Sequence, residues 1–424
     1  MDQARHAAGP VIPGAPGAGA VVGVRALDER GGFGAPGTLR WAQGRFVAAS
    51  DPVAPVDPAV PVAPAMAGTE LWAIPGLVDA HVHAAWHAFD AADRERASAD
   101  ERRAATADGL ARTLAAGITS VRDAGGLSAA ELAAIPAAER PAVQLSVRLL
   151  DRAAADAAGG LDRAVEGVLA EGARWVKLVG TAGVASPAGT GLDPVFSAAE
   201  VRDAVSRAER AGAAVMVHAW GGAAIDDAIA AGAASIEHGI FLTDAQARAA
   251  AAAGLTLVPT LRIYRLVADM IDAGALPAAF RARVSEAVGA HPEAVRRARD
   301  AGLPIAVGTD SGTPEQHGSA RLEVDALRAA GLSAEEALLA ATRSGAALLA
   351  RAEADPDPEP RTGGTLAPGA RADALLLARD PREPGALSAP GAVVGVLRGG
   401  VYRPAGPLPA SPPSAAPPPA PPPR

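Results

Sequence analysis

The sequence predicts an α/β protein: a (β/α)8 TIM barrel with a small β-sandwich domain formed by the N- and C-terminal segments. Three observations lead there. From Ile74 to residue 355, short β-branched runs alternate with stretches of helical, 3.6-residue periodicity, and counting the opening run there are eight such runs. Glycine recurs just ahead of the runs, at Gly117, Gly172, Gly212, Gly232, Gly254 and Gly302, where helix C-caps belong. Both chain ends instead carry brief β-like pieces broken by Gly and Pro. Eight β/α units over that length match the size of a (β/α)8 barrel. A doubly wound open sheet is the alternative, but it calls for a phosphate-binding loop at its switch point, and none is convincing.

Taken in order, residues 1–73 form the N-terminal part of the sandwich. They contain GAVVGVRAL, TLRWAQGRFVAA and ELWAI, with the Pro-rich DPVAPVDPAVPVAPAMAG as an irregular or polyproline stretch between strands. Residues 74–355 form the barrel. IPGLVDAHVH opens it; helical spacing over 98–116, 127–138, 161–172, 197–212, 222–231 and 243–253 then precedes ITSVRD, AVQLSVR, RWVKLV, AVMVH, ASIEH and LTLVPT in turn. A longer helical region, 262–301, leads to LPIAVGTD, and helices near 319–330 and 333–351 close the series. Residues 356–404 return to strands in GTLAPGARADALLL and GAVVGVLRGGVY and complete the sandwich. Residues 405–424 form a Pro-rich tail that cannot bury a core and is expected to be disordered. Such a tail suits peptide-binding modules, with a passive role as the competing reading.

Composition narrows the function. Apolar residues make up 49% of the 424 and charged residues 20%, enough to bury a large core. A net charge of −8 argues against nucleic-acid binding, which needs clustered Lys and Arg. No 18-residue apolar run marks a membrane span, and no secretory signal is apparent, so a cytoplasmic protein is expected. Cysteine is absent, which excludes disulfides and thiolate metal sites. Asparagine is absent too, and of 39 basic residues all but Lys177 are arginine. Both missing residue types use codons beginning AA, which points to extreme G+C pressure. A lysine that survives it suggests a task guanidinium cannot perform, since an amine can lose its proton and react; chance survival on the surface is the bland alternative.

The polar residues at the run ends carry the chemistry. In a barrel these ends converge on one mouth. The first run ends in His81 and His83, which share one face of an extended chain because side chains two apart point the same way. Asp79, two further back, is placed to hydrogen-bond a ring N–H and set the tautomer. The fourth run supplies Lys177, the fifth His218, the sixth His238 and the eighth Asp310, with His317 close behind. A satisfied core histidine is the ordinary reading of any one of these. Four at run ends, with a carboxylate and the sole lysine, make it a poor account of the set. Neutral imidazoles and carboxylates are ligands for Zn2+ and similar divalent ions. An ammonium is not a ligand, but carboxylation of Lys177 by CO2 would give a carbamate whose two oxygens can bridge two cations. Two metals would acidify a bridging water and polarise a carbonyl or phosphoryl oxygen, with Asp310 taking the water's proton and passing it to the leaving group.

IPGLVDAHVH, VKLVGTAG, MVHAWG, SIEHGIF and VGTDSG together resemble the metal-dependent amidohydrolase superfamily, most of all its imidazolonepropionase-like and prolidase-like branch, over about residues 70–404. The resemblance implies a (β/α)8 barrel with a β-sandwich built from both termini. It implies that His81, His83 and Asp310 hold one metal, that His218 and His238 hold the other, and that carboxylated Lys177 bridges them; zinc is the expected ion. Superfamily deaminases carry an acidic residue three after the fifth-strand histidine. Here that position is Gly221, which disfavours deamination, while Lys177 favours two metals over the mononuclear imidazolonepropionase type.

Substrate choice lies in the loops. Arg262, Tyr264 and Arg265 follow the seventh run, where a guanidinium and a phenol suit a substrate carboxylate; a packed Tyr264 and solvated arginines are the competing reading. Trp86 and Trp220 follow ligand motifs and could wall an apolar pocket. Asp123 either supports the ligands or caps a turn, and His317 either meets substrate or shapes a helix entry. The expected activity is hydrolysis of the amide bond of a dipeptide or N-acyl amino acid by a metal-bridging hydroxide, with Asp310 as general base and acid. Cyclic amides, lactones and organophosphates are alternatives, as is a metal-binding scaffold without turnover. The expected partner is a small molecule, with neither nucleic acid nor membrane, and a homo-oligomer is left open.

Overall fold

The computed structural model describes residues 18–48, 70–89, 91–184, 186, 190–352 and 363–406. The Pro-rich segment at 51–68 and the tail from 407 lie outside them. In chain order the strands are β1 (Gly19–Ala26), β2 (Gly37–Ala42), β3 (Arg45–Val47), β4 (Leu71–Pro75), β5 (Leu77–Val82), β6 (Ile118–Asp123), β7 (Ala142–Gln144) and β8 (Leu149–Leu150). They continue with β9 (Trp175–Val179), β10 (Ala214–Ala219), β11 (Ser235–His238), β12 (Thr256–Val258), β13 (Ala374–Leu377), β14 (Val393–Arg398) and β15 (Val401–Pro404).

Two parallel sheets lie at the centre: three strands in the order β5-β6-β7, and five in the order β12-β11-β10-β9-β8. Backbone hydrogen bonds join them on both sides. Trp175 N donates to Leu145 O between β9 and the end of β7. The eighth run, read from sequence as a strand, makes only isolated bridges, Leu257 to Ile305 and Val82 to Ser311. It still spans the gap: Ala306 N donates to Leu257 O, Ala80 N to Val307 O and Asp310 N to His81 O. Gly308 lies close to both neighbours: a Cβ there would come within 2.4 Å of Val258 Cγ1 and 2.8 Å of His81 Cβ, so only glycine fits.

Local sequence sets the helices between these strands. Five start on a reciprocal capping box, Ser98/Glu101, Ser128/Glu131, Ser197/Glu200, Thr243/Gln246 and Ser333/Glu336, each satisfying two otherwise orphaned N–H groups. The six glycines expected to close helices all have positive φ, between 67° and 95°. The helix expected over 127–138 is cut short to Ala129–Ala133, and a 3-10 turn, Ala137–Glu139, follows Pro136, which cannot continue a helix. The region 262–301 divides into Leu261–Asp272 and Arg281–Asp300, with Gly274 at φ 74° and Pro277 between them. Among the described residues no helix is long and apolar enough to cross a membrane.

One large side chain fills the space between the parallel strands. Trp175 is fully buried in a cluster with Ala80, Ala124, Ala214, Ala234 and Ala306, small residues from five other strand segments. Its indole Nε1 donates to Gln144 Oε1 at 2.7 Å, and the Arg122 guanidinium lies 4.5 Å from its ring. Large against small is what close packing there requires.

The chain ends form one seven-stranded sheet, β15-β14-β13-β4-β1-β2-β3, antiparallel except for β1 with β4. The edge strand β3 pairs again with residues just ahead of the central β13, through Phe46 N to Ala370 O and Ala372 N to Gly44 O, so the sheet curls back on itself. The pairing links all seven strands into one curled sheet. In β13, Ala374 and Leu376 enter this sheet's own core while Leu375 and Leu377 join the main core, which fixes the sheet against the parallel strands.

Replacing Trp175 by Ala is expected to cost about 3–5 kcal/mol of stability, read as a lowered urea midpoint. An unchanged midpoint would show that Trp175 is not the packing element of this core.

Candidate metal centre

His81 is the penultimate residue of β5 and His83 follows the strand, and both aim Nε2 at one oxygen: Asp310 Oδ1 lies 3.4 Å from His81 Nε2 and 3.3 Å from His83 Nε2. One ligand atom from each of these three residues falls within 4.8 Å of the others, a spacing fit for one cation. Lys177 Nζ is 3.3 Å from His81 Nε2. The His238 ring lies 5.1 Å from that of His81 and 4.6 Å from that of His218. All six ligand candidates of the sequence therefore meet at the C-terminal ends of the strands.

Three of the four rings are held from behind. His81 Nδ1 is 2.6 Å from Glu237 Oε2, so the N–H there donates to the carboxylate and Nε2 keeps its lone pair. Arg122 grips both oxygens of Glu237 at 2.8 and 2.9 Å and donates to Ser235 Oγ at 2.8 Å. Arg122 and Glu237 are fully buried. His83 Nδ1 lies 2.9 Å from Gly125 O, its ring stacked on Trp86 at 3.8 Å. His238 Nδ1 lies 2.7 Å from Thr260 Oγ1, and its carbonyl accepts from His291 Nε2 at 2.9 Å. His218 Nε2 is different: it is buried and has no hydrogen-bond partner among the described residues. Buried polar atoms are nearly always satisfied, and a cation here would satisfy this one. The residues present fit a metal.

Asp79 departs from expectation. It contacts no ring nitrogen; it accepts from Thr309 N at 2.9 Å, Thr309 Oγ1 at 2.7 Å and His81 N at 3.3 Å, tying the eighth run to β5. The register of β5 against β6 shifts between Asp79 and Val82, so simple alternation fails there. The tautomer-setting carboxylate is Glu237. Its sequence signal was a Glu next to a ligand histidine, matched by Arg122 as the one cation in a run otherwise read as a buried strand. Asp123 caps turns, accepting from Ala84 N and Gly125 N at 3.0 Å, and so holds the carbonyl that His83 meets.

Backbone and electrostatics are both unusual. His238, Thr260 and Asp310 have φ of 71°, 53° and 54°, in the left-handed region that costs a non-glycine residue about 1–3 kcal/mol. Burial lowers the pKa of His83, lowers His218 to about 3 and holds His238 well below 6.5, which favours the neutral imidazole at each. Burial brings Lys177 down to about 8. For Asp310 burial acts upward, but the neighbouring histidines, His81 first, outweigh it and keep the carboxylate well below its usual range.

The substrate candidates are placed as follows. Tyr264 is buried, edge-on to His238 at 5.8 Å, Trp220 at 5.3 Å and His291 at 5.4 Å. Arg262 is half-buried beside the charges of Glu323 and Asp325, and Arg265 is exposed. His317 is buried with Nε2 3.4 Å from Trp86 O, packed so closely on Gly109 that a Cβ there would meet its ring at 2.8 Å. At Gly221 a Cβ would lie 2.8 Å from that of Phe241, so the position is packed against an aromatic side chain.

The Amidohydrolase family domain matches residues 72–402. The chain belongs to the amidohydrolase family. An uncharacterised protein of Mycobacterium tuberculosis is 34% identical over 231 residues, 54% of this chain and 58% of that protein. Ochratoxinase of Aspergillus niger is 29% identical over 248 residues, 58% of this chain and 49% of its own. The aligned stretch thus spans about half the length of these curated relatives. The solved structure of a prolidase complexed with N-methylphosphonate-L-proline is similar with a TM-score of 0.77 at 25% identity, over 91% of this chain and 99% of that one.

Two outcomes follow from this geometry. Glu237→Gln, which cannot accept at full charge from both Arg122 and His81, is expected to weaken metal binding about 10–100-fold, read by competition with a chelator. Unchanged affinity would remove Glu237 from the support of the centre. Glu323 caps the helix Leu261–Asp272 through Leu261 N and Arg262 N, and burial raises its pKa from 4.5 to about 7. The folded state then holds this proton more tightly than the unfolded one, so its contribution is full below 4.5 and lost as pH rises through 7. In chelator, the Tm of Glu323→Gln minus that of the native chain is expected to increase from pH 5 to pH 8; a flat difference would contradict it.

Proposed function

We propose that this chain is a metal-dependent hydrolase that cleaves the amide bond of a dipeptide or N-acyl amino acid with a free carboxylate. The observation that carries the reading is the meeting of His81, His83 and Asp310 at one point, with His218 Nε2 buried and unpartnered nearby. His81, His83 and Asp310 would hold one divalent ion and His218 and His238 a second, with Lys177 as a carbamate between them; zinc is the ion we favour. Bound there, such ions would polarise the scissile carbonyl and acidify a water.

The chain's own residues do the rest. Arg122 and Glu237 orient His81, Gly125 orients His83 and Thr260 orients His238, so that the Nε2 of each ring faces inward. Asp310, ionised at neutral pH, accepts the proton of the attacking water on a carboxylate oxygen and delivers it to the leaving nitrogen. Gly221 leaves no carboxylate at the shuttle position of deaminases, which supports hydrolysis without deamination. Likeness to a prolidase favours a dipeptide-type amide. The same reading takes the parallel sheets as one (β/α)8 barrel, the curled terminal sheet as the family's β-sandwich, and the cytoplasm as the location.

Elemental analysis of protein prepared with bicarbonate is expected to give two metals per chain, falling in Lys177→Ala. One metal, unchanged in that variant, would overturn the two-metal reading. Asp310→Asn is expected to lower kcat by about 10²–10⁴ on whichever N-acyl amino acid or dipeptide the native enzyme hydrolyses. Native-like turnover would remove Asp310 from the proton path.

A further inference from the structure

The chain ends bring four arginines to one cavity that none of the six ligand candidates lines. It has a volume of about 400 Å3. Its walls are the β2–β3 turn with Arg45, Arg371 ahead of β13, Arg398 and Arg403 on the β14–β15 hairpin, and Ala137 and Ala138 of the 3-10 turn. Register explains the convergence. Phe46 enters the core of the terminal sheet, so its neighbour Arg45 faces the other way. Arg45 and Arg371 are partners in an antiparallel bridge, and side chains directly opposite share a face. On the hairpin, Arg403 stands opposite Val396, a residue of the main core, and Arg398 is two along from Val396, so both lie on that side as well. The two turns close on each other at the rim, where a Cβ on Gly44 would come 3.1 Å from Gly399 O.

Like charges set opposite each other on a sheet repel. The lining carries these four positive charges and no negative one, in a chain whose net charge is −8. An acid does lie behind it: Asp373 Oδ1 is 3.2 Å from Arg371 Nε and accepts from Gly399 N at 2.6 Å. Arg45 Nη1 donates to Gly369 O at 2.8 Å and Arg403 Nη2 to Ala138 O at 2.7 Å, contacts that fix the side chains without neutralising them. Exposure is graded: Arg371 is buried, Arg398 and Arg403 are half-buried and Arg45 is exposed. A ligand can therefore enter from solvent and meet a buried cation at the back.

Guanidinium groups bind phosphate-type oxyanions through paired N–H donors. Two pairs of arginines suit two such groups on one molecule. The apolar part of the lining is alanine and Val401, so nothing there stacks a base or encloses an acyl chain. We propose that this cavity binds a compact oxyanion with two phosphate-type groups, pyrophosphate in its simplest form, and that the ligand fastens both chain ends to the 3-10 turn Ala137–Glu139. Arg45 belongs to the N-terminal segment and the other three arginines to the C-terminal one. The site exists only while the two ends are paired, so its ligand stabilises the folded chain.

The test uses the zinc-loaded full chain and pyrophosphate, with sodium chloride holding ionic strength constant and metal content equal throughout. Calorimetry is expected to show binding by the native chain that is weakened at least tenfold in Arg403→Gln and in Arg45→Gln. Because Arg45 is exposed, its variant keeps the fold even where loss of the Ala138 contact harms the other. Arg163→Gln, which removes an exposed arginine of the helix Leu161–Ala170 instead, should leave the affinity unchanged. Inorganic phosphate, with one group, should bind at least tenfold more weakly than pyrophosphate. Pyrophosphate should also raise the Tm of the native chain more than that of Arg45→Gln. The proposal is overturned if the native chain does not bind pyrophosphate, or if binding survives both substitutions, as it would with the anion on the metals alone. It is overturned equally if Arg163→Gln weakens binding as much, as general charge attraction would require.

Discussion

A single buried ion pair sets the position from which the centre is built. Arg122 on β6 and Glu237 on β11 come from opposite sheets, and neither touches solvent. Taking two such charges out of water costs several kcal/mol per ion unless hydrogen bonds replace the lost hydration. Here they do: Glu237 receives both Arg122 contacts, the His81 ring and Ser235 Oγ, while Arg122 also reaches Ala80 O and Ser235 Oγ. Because the pair is satisfied only when β5, β6 and β11 stand in one arrangement, it ties the orientation of His81 to the assembly of the whole core. Burial pushes the Glu237 carboxyl upward, but Arg122 and then His81 overcome it and hold it near 2, so the acceptor stays charged.

Around that pair the strand ends are bent away from ordinary geometry. His238, Thr260 and Asp310 adopt left-handed backbone that a free chain avoids. The surrounding hydrogen bonds hold them there: Thr260 Oγ1 and His291 on His238, and His81 O on the Asp310 amide. Strain of this kind is where structure is subordinated to chemistry, since it turns a side chain inward that strand alternation would turn out. Glu237 and His238 are neighbours in sequence and would face opposite ways in a regular strand. The positive φ at His238 lets both serve one centre.

Much of this was legible in the chain. Seven of the eight strand runs, the six helix-ending glycines and the placement of His81, His83, Lys177, His218, His238 and Asp310 at or near run ends follow from local patterns of period and turn chemistry. What escaped the reading were contacts between residues far apart in sequence. Strand alternation points Asp79 at the ring nitrogen that Glu237 holds, because a register shift in β5 leaves no mark on the alternation itself. The eighth run looks like a strand by composition, yet it forms only isolated bridges. Arg283 carries no such signal: it lies in the first turn of the helix Arg281–Asp300, and only folding lays it over Trp220.

The sequence by itself determined which residues could ligate a metal and on which kind of element each sits, since side-chain chemistry, capping and periodicity are local properties. Tertiary structure alone decided how those residues are aimed and what surrounds them. Ring tautomers, the pairing of Arg122 with Glu237, the unpartnered Nε2 of His218 and the cavity lined by Arg45 and Arg403 each depend on groups 20 to more than 100 residues apart meeting within hydrogen-bond or van der Waals reach. Those meetings are fixed by packing density and by the cost of leaving a buried polar group unsatisfied, and neither can be evaluated until the chain has closed around them.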